Sequence, residues 1–348
     1  MKIPLCQLFI PMVMQHRVET FDIAKALGII LVVIGHFNPA DSPSWWLNTT
    51  ACIYSFHMPL FLAMSGFLYA MTSRRGGYFS FAWKKVKRLM IPYLSTSLVV
   101  ITFKLLTQGQ AAVEHPVSAH TYLELFYLPA AGFFLWFVWA LFEMFLLVRV
   151  INSRHYRLGL FVVSIVIYFL PWPWPEMFCL EQLRGMMVYF MAGVMVVDFK
   201  RIFRPLFAWG AHVYIPVFVV SYAVLLLVGR GNAVVELVAA AAGIAALLAL
   251  SRAVSRRCAN VKQVLLPVGE ASFTIYLFHT TFEGAVKAVI GKLPALDYTG
   301  HQLLFAFDAS LVVLCGVLMP MVLHGLFRRY RLTRFLLGMP VTQPLRKA

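Results

Sequence analysis

Lys25 and His36 have the types and the spacing to do chemistry. They stand in FDIAKALGIILVVIGHFNP, an apolar run whose other ionisable group is Asp22. Eleven positions on a helix turn through about 1,100°, roughly 20° past three full turns, so the two side chains share one face about 16 Å apart. A histidine both accepts and donates a proton near neutral pH, which suits it to taking the proton from an attacking hydroxyl. In water-free surroundings each such group needs a partner or a task. Asp22 and Lys25, three positions apart, can neutralise one another. By position alone, His36 equally suits an interfacial histidine facing headgroup water.

Other candidates follow along the chain. SFHMPLFLAMSGF carries His57, level with His36 at the start of a second apolar run, and Ser65 beside Gly66. Ser65 is not in a G-x-S-x-G elbow, so close helix packing suits this pair better than nucleophilic attack. FAWKKVKRLMIPYL carries Lys84, Lys85, Lys87 and Arg88 ahead of a third run. Such a cluster holds phosphates, or anionic lipid and the topology of the chain. Glu143, in LWFVWALFEMFLL, is an acid inside an apolar run; it is either functional or paired with a base on a neighbouring helix. Glu270 and His279, in VGEASFTIYLFH, fall on opposite faces of one helix, and His279 joins the candidates. Asp198, Asp308 and His324 sit near the ends of apolar runs and read as solvated. Cys6, Cys52, Cys179, Cys258 and Cys315 are scattered without metal-ligand spacing, so neither a metal nor a disulfide framework is expected.

The elements that must position these residues are set by composition. Of 348 residues, 61% are hydrophobic and 13% charged, about half the charge of a soluble domain. That deficit runs the whole length and predicts an all-α, polytopic membrane protein. Ten stretches are expected to span: 23–37, 51–71, 89–106, 132–151, 158–170, 185–197, 213–228, 233–250, 272–290 and 303–327. The net charge of +16 would suggest nucleic acid on a soluble chain. Here the basic residues collect in alternate gaps: Lys2 and Arg17; Arg74, Arg75 and Lys84–Arg88; Arg149, Arg154 and Arg157; Lys200, Arg201 and Arg204; Arg252, Arg256, Arg257 and Lys262; and Arg328, Arg329, Arg331 and Arg334 with Arg346 and Lys347 in the tail. The gaps between hold few bases: none in 38–50, Glu114 and Glu124 in 107–131, Arg184 with Glu176 and Glu181, Arg230, and Lys292 with Asp297. This alternation predicts both termini in the cytoplasm, an affinity for membrane lipids and none for nucleic acid. It puts Lys25 and Lys84–Arg88 toward the cytoplasm and His36 toward the outside. Residues 1–16 read as an extension rather than a cleaved signal, 17–335 as one transmembrane domain and 336–348 as a cytoplasmic tail. No internal repeat of the inverted transporter kind is found.

Taken in order, these stretches resemble the integral-membrane acyltransferase 3 family. DIAKALGIILVVIGH is similar to that family's first-helix motif, a base followed by a histidine. SFHMPLFLAMSGFLYA resembles its second helix, KKVKRLMIPY its R-x-x-R motif, LWFVWALF its fourth helix and GEASFTIYLFH its penultimate one. Within the family the chain is most similar to the fucose 4-O-acetylase-like branch. It departs in having Lys25 where many relatives have arginine, and Lys85-x-x-Arg88 for R-x-x-R, which gives up one bidentate fork. No appended esterase-like domain is expected. The resemblance implies transfer of an acyl group, acetyl foremost, from acyl-CoA to a hydroxyl of a sugar or cell-surface polysaccharide. It implies His36 as the base toward the acceptor hydroxyl, Lys25 at the donor or its acyl carbonyl with Asp22 next to it as a further catalytic candidate, and donor phosphates at Lys84, Lys85 and Arg88. It further implies a bacterial inner membrane and polysaccharide-biosynthesis partners. The 16 Å between Lys25 and His36 leaves open a threaded CoA arm, a covalent relay or a re-entrant site. A transporter or flippase for a lipid-linked sugar is the competing reading, since buried ionisable groups serve that as well.

Overall fold

A backbone that leaves water can satisfy its own polar groups by coiling into helices, and apolar runs of this length have no other use for them. The computed structural model describes residues 5–39, 41–72, 76–108, 117–170, 172–229, 231–290 and 301–339, with side chains from Glu19 onward except that of Phe207. Every element among them is helical. In chain order these are α1 (Leu5–His36), α2 (Ser44–Tyr54), α3 (His57–Thr72), α4 (Tyr78–Lys85), a π turn (Val86–Met90), α5 (Ile91–Thr107), α6 (Thr121–Glu124), α7 (Trp136–Arg149) and α8 (Arg154–Phe169). There follow α9 (Leu180–Asp198), α10 (Lys200–Phe203), α11 (Ala211–Val228), α12 (Ala233–Arg257), α13 (Ala259–Ile290), α14 (Gln302–Phe327) and α15 (Arg331–Leu336). Six stretches are long and apolar enough to cross a membrane: Ser44–Thr72, Tyr78–Thr107, Met177–Asp198, Ala211–Val228, Ala233–Arg257 and Gln302–Phe327. The chain is a multi-pass membrane protein. Lys2, Arg74, Arg75, Glu114, Arg230, Lys292, Asp297, Arg346 and Lys347 lie outside the described residues, as do 1–4 of the extension and 340–348 of the tail. The side chains of Cys6 and Arg17 lie outside them too.

The expected stretches fall on helices, the first and ninth within helices that begin earlier, at Leu5 and Ala259, and with two further differences. The second, 51–71, passes through a two-residue turn at Ser55 and Phe56, with Ser55 still at helical backbone angles, so α2 and α3 follow one another within the stretch Ser44–Thr72. Pro59 stands in the first turn of α3, where its missing N–H has no intrahelical partner to lose. The third begins earlier, at Tyr78, and passes through the π turn Val86–Met90; such turns concentrate at functional sites.

The helices wear their apolar residues outward as well as inward. Leu227 of α11 is 86% exposed, and Val219, Val220 and Leu226 are mostly exposed. A surface of this kind belongs against lipid. Between the helices lies a core in which Ile23, Val33, Leu62, Tyr93, Met144, Phe190 and Ile275 are fully or almost fully buried.

Close approach of backbones sets the frame. A methyl group added at Gly66 of α3 would sit 1.9 Å from the carbonyl oxygen of Phe190, and one at Gly193 of α9 would sit 1.9 Å from that of Ala63. Each helix thus offers the other a residue without a side chain, the usual way for membrane helices to gain contact. The same device joins α1 to α13, where a methyl at Gly269 would meet the Asp22 carbonyl at 2.1 Å. That contact fixes how α13 lies along α1, and so which of its residues reach His36.

Of three groups expected to be solvated, two are buried and the third is partly so. Asp198 is buried and accepts from Arg157 Nε at 2.6 Å. Asp308, near the start of α14, is 5% exposed. His324 Nδ1 is 2.7 Å from the Thr274 hydroxyl of α13. Nearness to a helix end says nothing of which side of the helix faces its neighbours.

Candidate active site

His36 is the last residue of α1, and the end of that helix is held from outside itself. The last carbonyls of a helix lack intrahelical donors. Here Gly35 O accepts from the Tyr54 hydroxyl and from Asn38 Nδ2, both at 3.1 Å. Phe37 O accepts from the Trp46 indole at 2.6 Å. Tyr54 and Trp46 both come from α2, so the amphipathic aromatics of that short helix cap α1 and fix the position of His36.

Two further histidines stand close by. The rings of His36 and His279 lie 4.9 Å apart, centroid to centroid, at 60°. Phe134 lies 6.1 Å from His36 and 5.3 Å from His279, and its carbonyl accepts from the Tyr276 hydroxyl. Tyr54 lies 6.4 Å from His36 and 5.0 Å from His57. The environment decides the tautomers of two of these rings. His279 Nδ1 faces the carbonyls of Tyr276 and Ile275 at 2.8 and 3.1 Å, and His57 Nδ1 faces Ile53 O at 2.9 Å. Carbonyls only accept, so in each neutral ring the hydrogen is assigned to Nδ1 and the lone pair to Nε2. His279 is fully buried, and its Nε2 has no hydrogen-bond partner among the described residues. A buried lone pair left open is costly unless something comes to meet it. Glu283, one turn beyond His279 on the same face of α13, is 2% exposed and lies against Gly316 of α14. Two imidazoles and a carboxyl therefore collect where α1, α13 and α14 meet.

The other end of α1 has a different character. Lys25 Nζ binds Asp22 Oδ1 at 2.6 Å, the neutralisation expected for residues three apart. Nearby α1 and α13 residues are also paired, Glu19 with Lys262 at 3.2 Å. Because α1 is one unbroken helix, Lys25 and His36 are separated by about 16 Å and cannot touch one reacting atom. In the basic motif Lys84 and Arg88 are exposed. Lys85 is instead turned inward, with Nζ 3.2 Å from the centroid of the Phe145 ring and 5.3 Å from that of Phe81. Cation–π attraction of this kind holds a lysine until a better anion arrives. The π turn begins immediately after Lys85 and carries Arg88 within it.

The structure does not bring every candidate together. Ser65 lies two turns beyond His57 on α3, next to the Gly66 contact, and packs rather than reacts. Glu143, on α7, makes no ion pair among the described residues, and its Oε2 has no hydrogen-bond partner. It sits one turn from Trp139, whose ring meets Tyr93 of α5 at 5.8 Å. Thr96 of α5 is likewise buried with its hydroxyl unpartnered among the described residues. These groups put polar atoms in the membrane interior between the two ends. Glu283, Tyr54, Phe134 and Tyr276 were not expected. Glu283 had a signal, a carboxyl four positions after His279 on one helix; the three aromatics had none.

Comparisons with known proteins bear on the family of the chain. A family model described as an acyltransferase domain, that of the acyltransferase 3 family, matches residues 18–328. The nodulation protein NolL of Mesorhizobium japonicum is 31% identical over 154 residues, 43% of this chain and 39% of that protein. NolL of Sinorhizobium fredii is 34% identical over 139 residues, 38% of this chain and 36% of that protein. The chain thus matches well under half the length of either relative. No solved structure matches it.

Proposed function

The chain belongs to the acyltransferase 3 family and is a membrane acyltransferase; from this we propose that it moves an acyl group, acetyl foremost, from acyl-CoA to a hydroxyl of a sugar or cell-surface polysaccharide. The proposal includes about ten spans in a bacterial inner membrane with both termini in the cytoplasm, and work alongside polysaccharide-biosynthesis enzymes. The observation that carries it is the His36–His279 pair at 4.9 Å, at one end of the bundle, with His279 fully buried and His36 partly exposed.

In this reading the donor arrives at the basic end. Exposed Lys84 and Arg88 meet the CoA phosphates first, and Lys85 exchanges the Phe145 face for a phosphate oxygen. The acyl group travels on its long unbranched arm toward His36, past the polar atoms of Thr96 and Glu143. There the acceptor hydroxyl gives its proton to His36 as its oxygen bonds to the thioester carbonyl carbon. The carbon–sulfur bond then breaks and the proton passes to the leaving thiolate, giving an ester and free CoA. Proton transfer by a positioned imidazole contributes about 10²- to 10⁴-fold. His279, its tautomer held by two carbonyls, orients His36 and the incoming hydroxyl rather than serving as a second base. Lys25, held by Asp22, lines the donor's route.

Purified protein in proteoliposomes, given acetyl-CoA labelled in the acetyl group and a set of glycosides, tests the reading. Label on a glycoside supports it. A sugar carried across the bilayer with no label transferred would favour a transporter.

A further inference from the structure

A cavity of about 370 Å³ opens beside the histidines and is lined by Tyr54, Tyr168, Arg184, Met186, Tyr189 and Glu236, among others. It lies among α2, α3, α8, α9, α11 and α12 at the ends of those helices nearest His36. Its size is at the lower end for small-molecule sites, which run from roughly 300 to 1,000 Å³. We propose that this cavity holds one neutral pyranosyl unit of the acceptor, with Tyr168, Tyr189 and Glu236 as its recognition groups; this rests on the sugar acceptor proposed above.

The lining chemistry favours a neutral, polyhydroxylated ligand. Three tyrosines offer ring surface to the C–H groups of a sugar and phenol oxygens to its hydroxyls. The hydroxyls of Tyr168 and Tyr189 lie 3.3 Å apart. Each oxygen has two lone pairs, so one shared hydrogen leaves both able to bind further. Glu236 uses Oε1 to accept from Gly231 N at 2.8 Å, and Oε2 has no partner among the described residues. A carboxylate with an open oxygen accepts hydrogen from a sugar hydroxyl.

The charge balance argues against an anion. Arg184 is the cation of the lining, and its guanidinium is already occupied. It pairs with Glu181 through Nε and Nη2 and donates from Nη1 to Leu170 O at 3.0 Å. With Glu236 and Glu181 against one committed arginine, a phosphate or a uronic acid would meet net negative charge. A second, larger groove, about 500 Å³, lies between α11 and α12 and is lined by Pro216, Val217, Val220, Val224, Val235 and Val238 with little else. Its one polar side chain, Ser221, already donates to Phe218 O at 2.9 Å, so it offers a sugar little to bind and suits a lipid chain.

The cavity also connects with the candidate base. Tyr54 lines it, caps Gly35 O beside His36, and has both His36 and His57 against its ring. A pyranose seated in the cavity therefore has one aromatic ring between it and His36, and a hydroxyl at its rim passes the ring edge to reach the base.

The test uses the full chain in detergent and p-nitrophenyl glycosides of neutral hexoses and 6-deoxyhexoses, with a p-nitrophenyl uronide as the anionic probe. Binding is read by saturation-transfer NMR, and acetyl transfer from labelled acetyl-CoA is read on the same samples. At least one neutral glycoside is expected to bind more tightly than the uronide. Glu236→Gln and Tyr168→Phe should each weaken it about tenfold, the size of a hydrogen bond to a charged group or somewhat less, with the loss falling on KM more than on kcat. Melting curves matching wild type show that the variants fold. No binding by any neutral glycoside, preference for the uronide, or unchanged binding in both variants would overturn the assignment of the cavity. Glycosides that bind through the cavity but never receive acetyl would leave the cavity assigned and overturn the acyl-transfer reading instead.

Discussion

The imidazoles of His36 and His279 face one another at 4.9 Å, although one ends the first long helix and the other sits in the middle of α13. The contact depends on the close backbone approach of Gly269 to Asp22, more than two turns away along each helix. It gives the candidate base a neighbour whose own tautomer is fixed by carbonyls and whose lone pair is buried.

Replacing His279 should therefore act on chemistry more than on donor binding. His279→Ala is expected to lower kcat by about 10²-fold, the size of loss that follows from misplacing a reacting group by about 1 Å, and to leave KM for acetyl-CoA within about twofold. Initial rates over a range of acetyl-CoA concentrations separate the two constants. A wild-type kcat would remove His279 from the site.

Arg88 is exposed beside a lysine already engaged with an aromatic ring, and in the proposed reading it is the donor's first charged contact. Arg88→Ala should raise KM for acetyl-CoA about tenfold or more, as expected for one charge-assisted hydrogen bond. Arg88→Lys should recover part of this, because the charge returns without the fork. Unchanged KM in both variants would place the phosphates elsewhere.

Much of this arrangement was legible in the sequence, and what was not has identifiable physical causes. Apolar runs and alternating basic gaps marked the helices, because bilayer solubility is written residue by residue. The basic motif, His36 and His279 stood out as polar groups in apolar company. Their meeting was not visible, since it depends on which face of α13 Gly269 presents to α1. The turn at Ser55 and Phe56 was missed because neither residue is a helix breaker. Asp198 and Asp308 were misjudged because end positions were equated with solvent, whereas Arg157 reaches one of them and the other is 5% exposed.

The Gly66–Phe190 contact leaves no room for a side chain. Gly66→Ala should cost about 1–3 kcal/mol of stability by overpacking, seen as a lower melting temperature of the solubilised protein. Gly159→Ala, on α8 with open space around it, is the matching control and should leave melting unchanged or slightly higher. Equal melting of the two variants would mean that α3 and α9 approach less closely.

The buried Arg157–Asp198 pair joins α8 to the end of α9. Asp198→Asn leaves a buried guanidinium without its counter-charge, which costs about 3–5 kcal/mol. Replacing both residues with methionine should recover part of that loss, because no uncompensated charge remains. Chemical denaturation of the single and double variants checks this, and a single variant as stable as wild type would contradict the burial of the pair.

The most direct measurement compares wild type with His36→Ala in proteoliposomes supplied with labelled acetyl-CoA and neutral glycosides. Wild type should place label on a glycoside, and the variant, present in the membrane in equal amount with an unchanged melting curve, should lose that transfer by at least about 10²-fold. Transfer at the wild-type rate by His36→Ala would contradict the account.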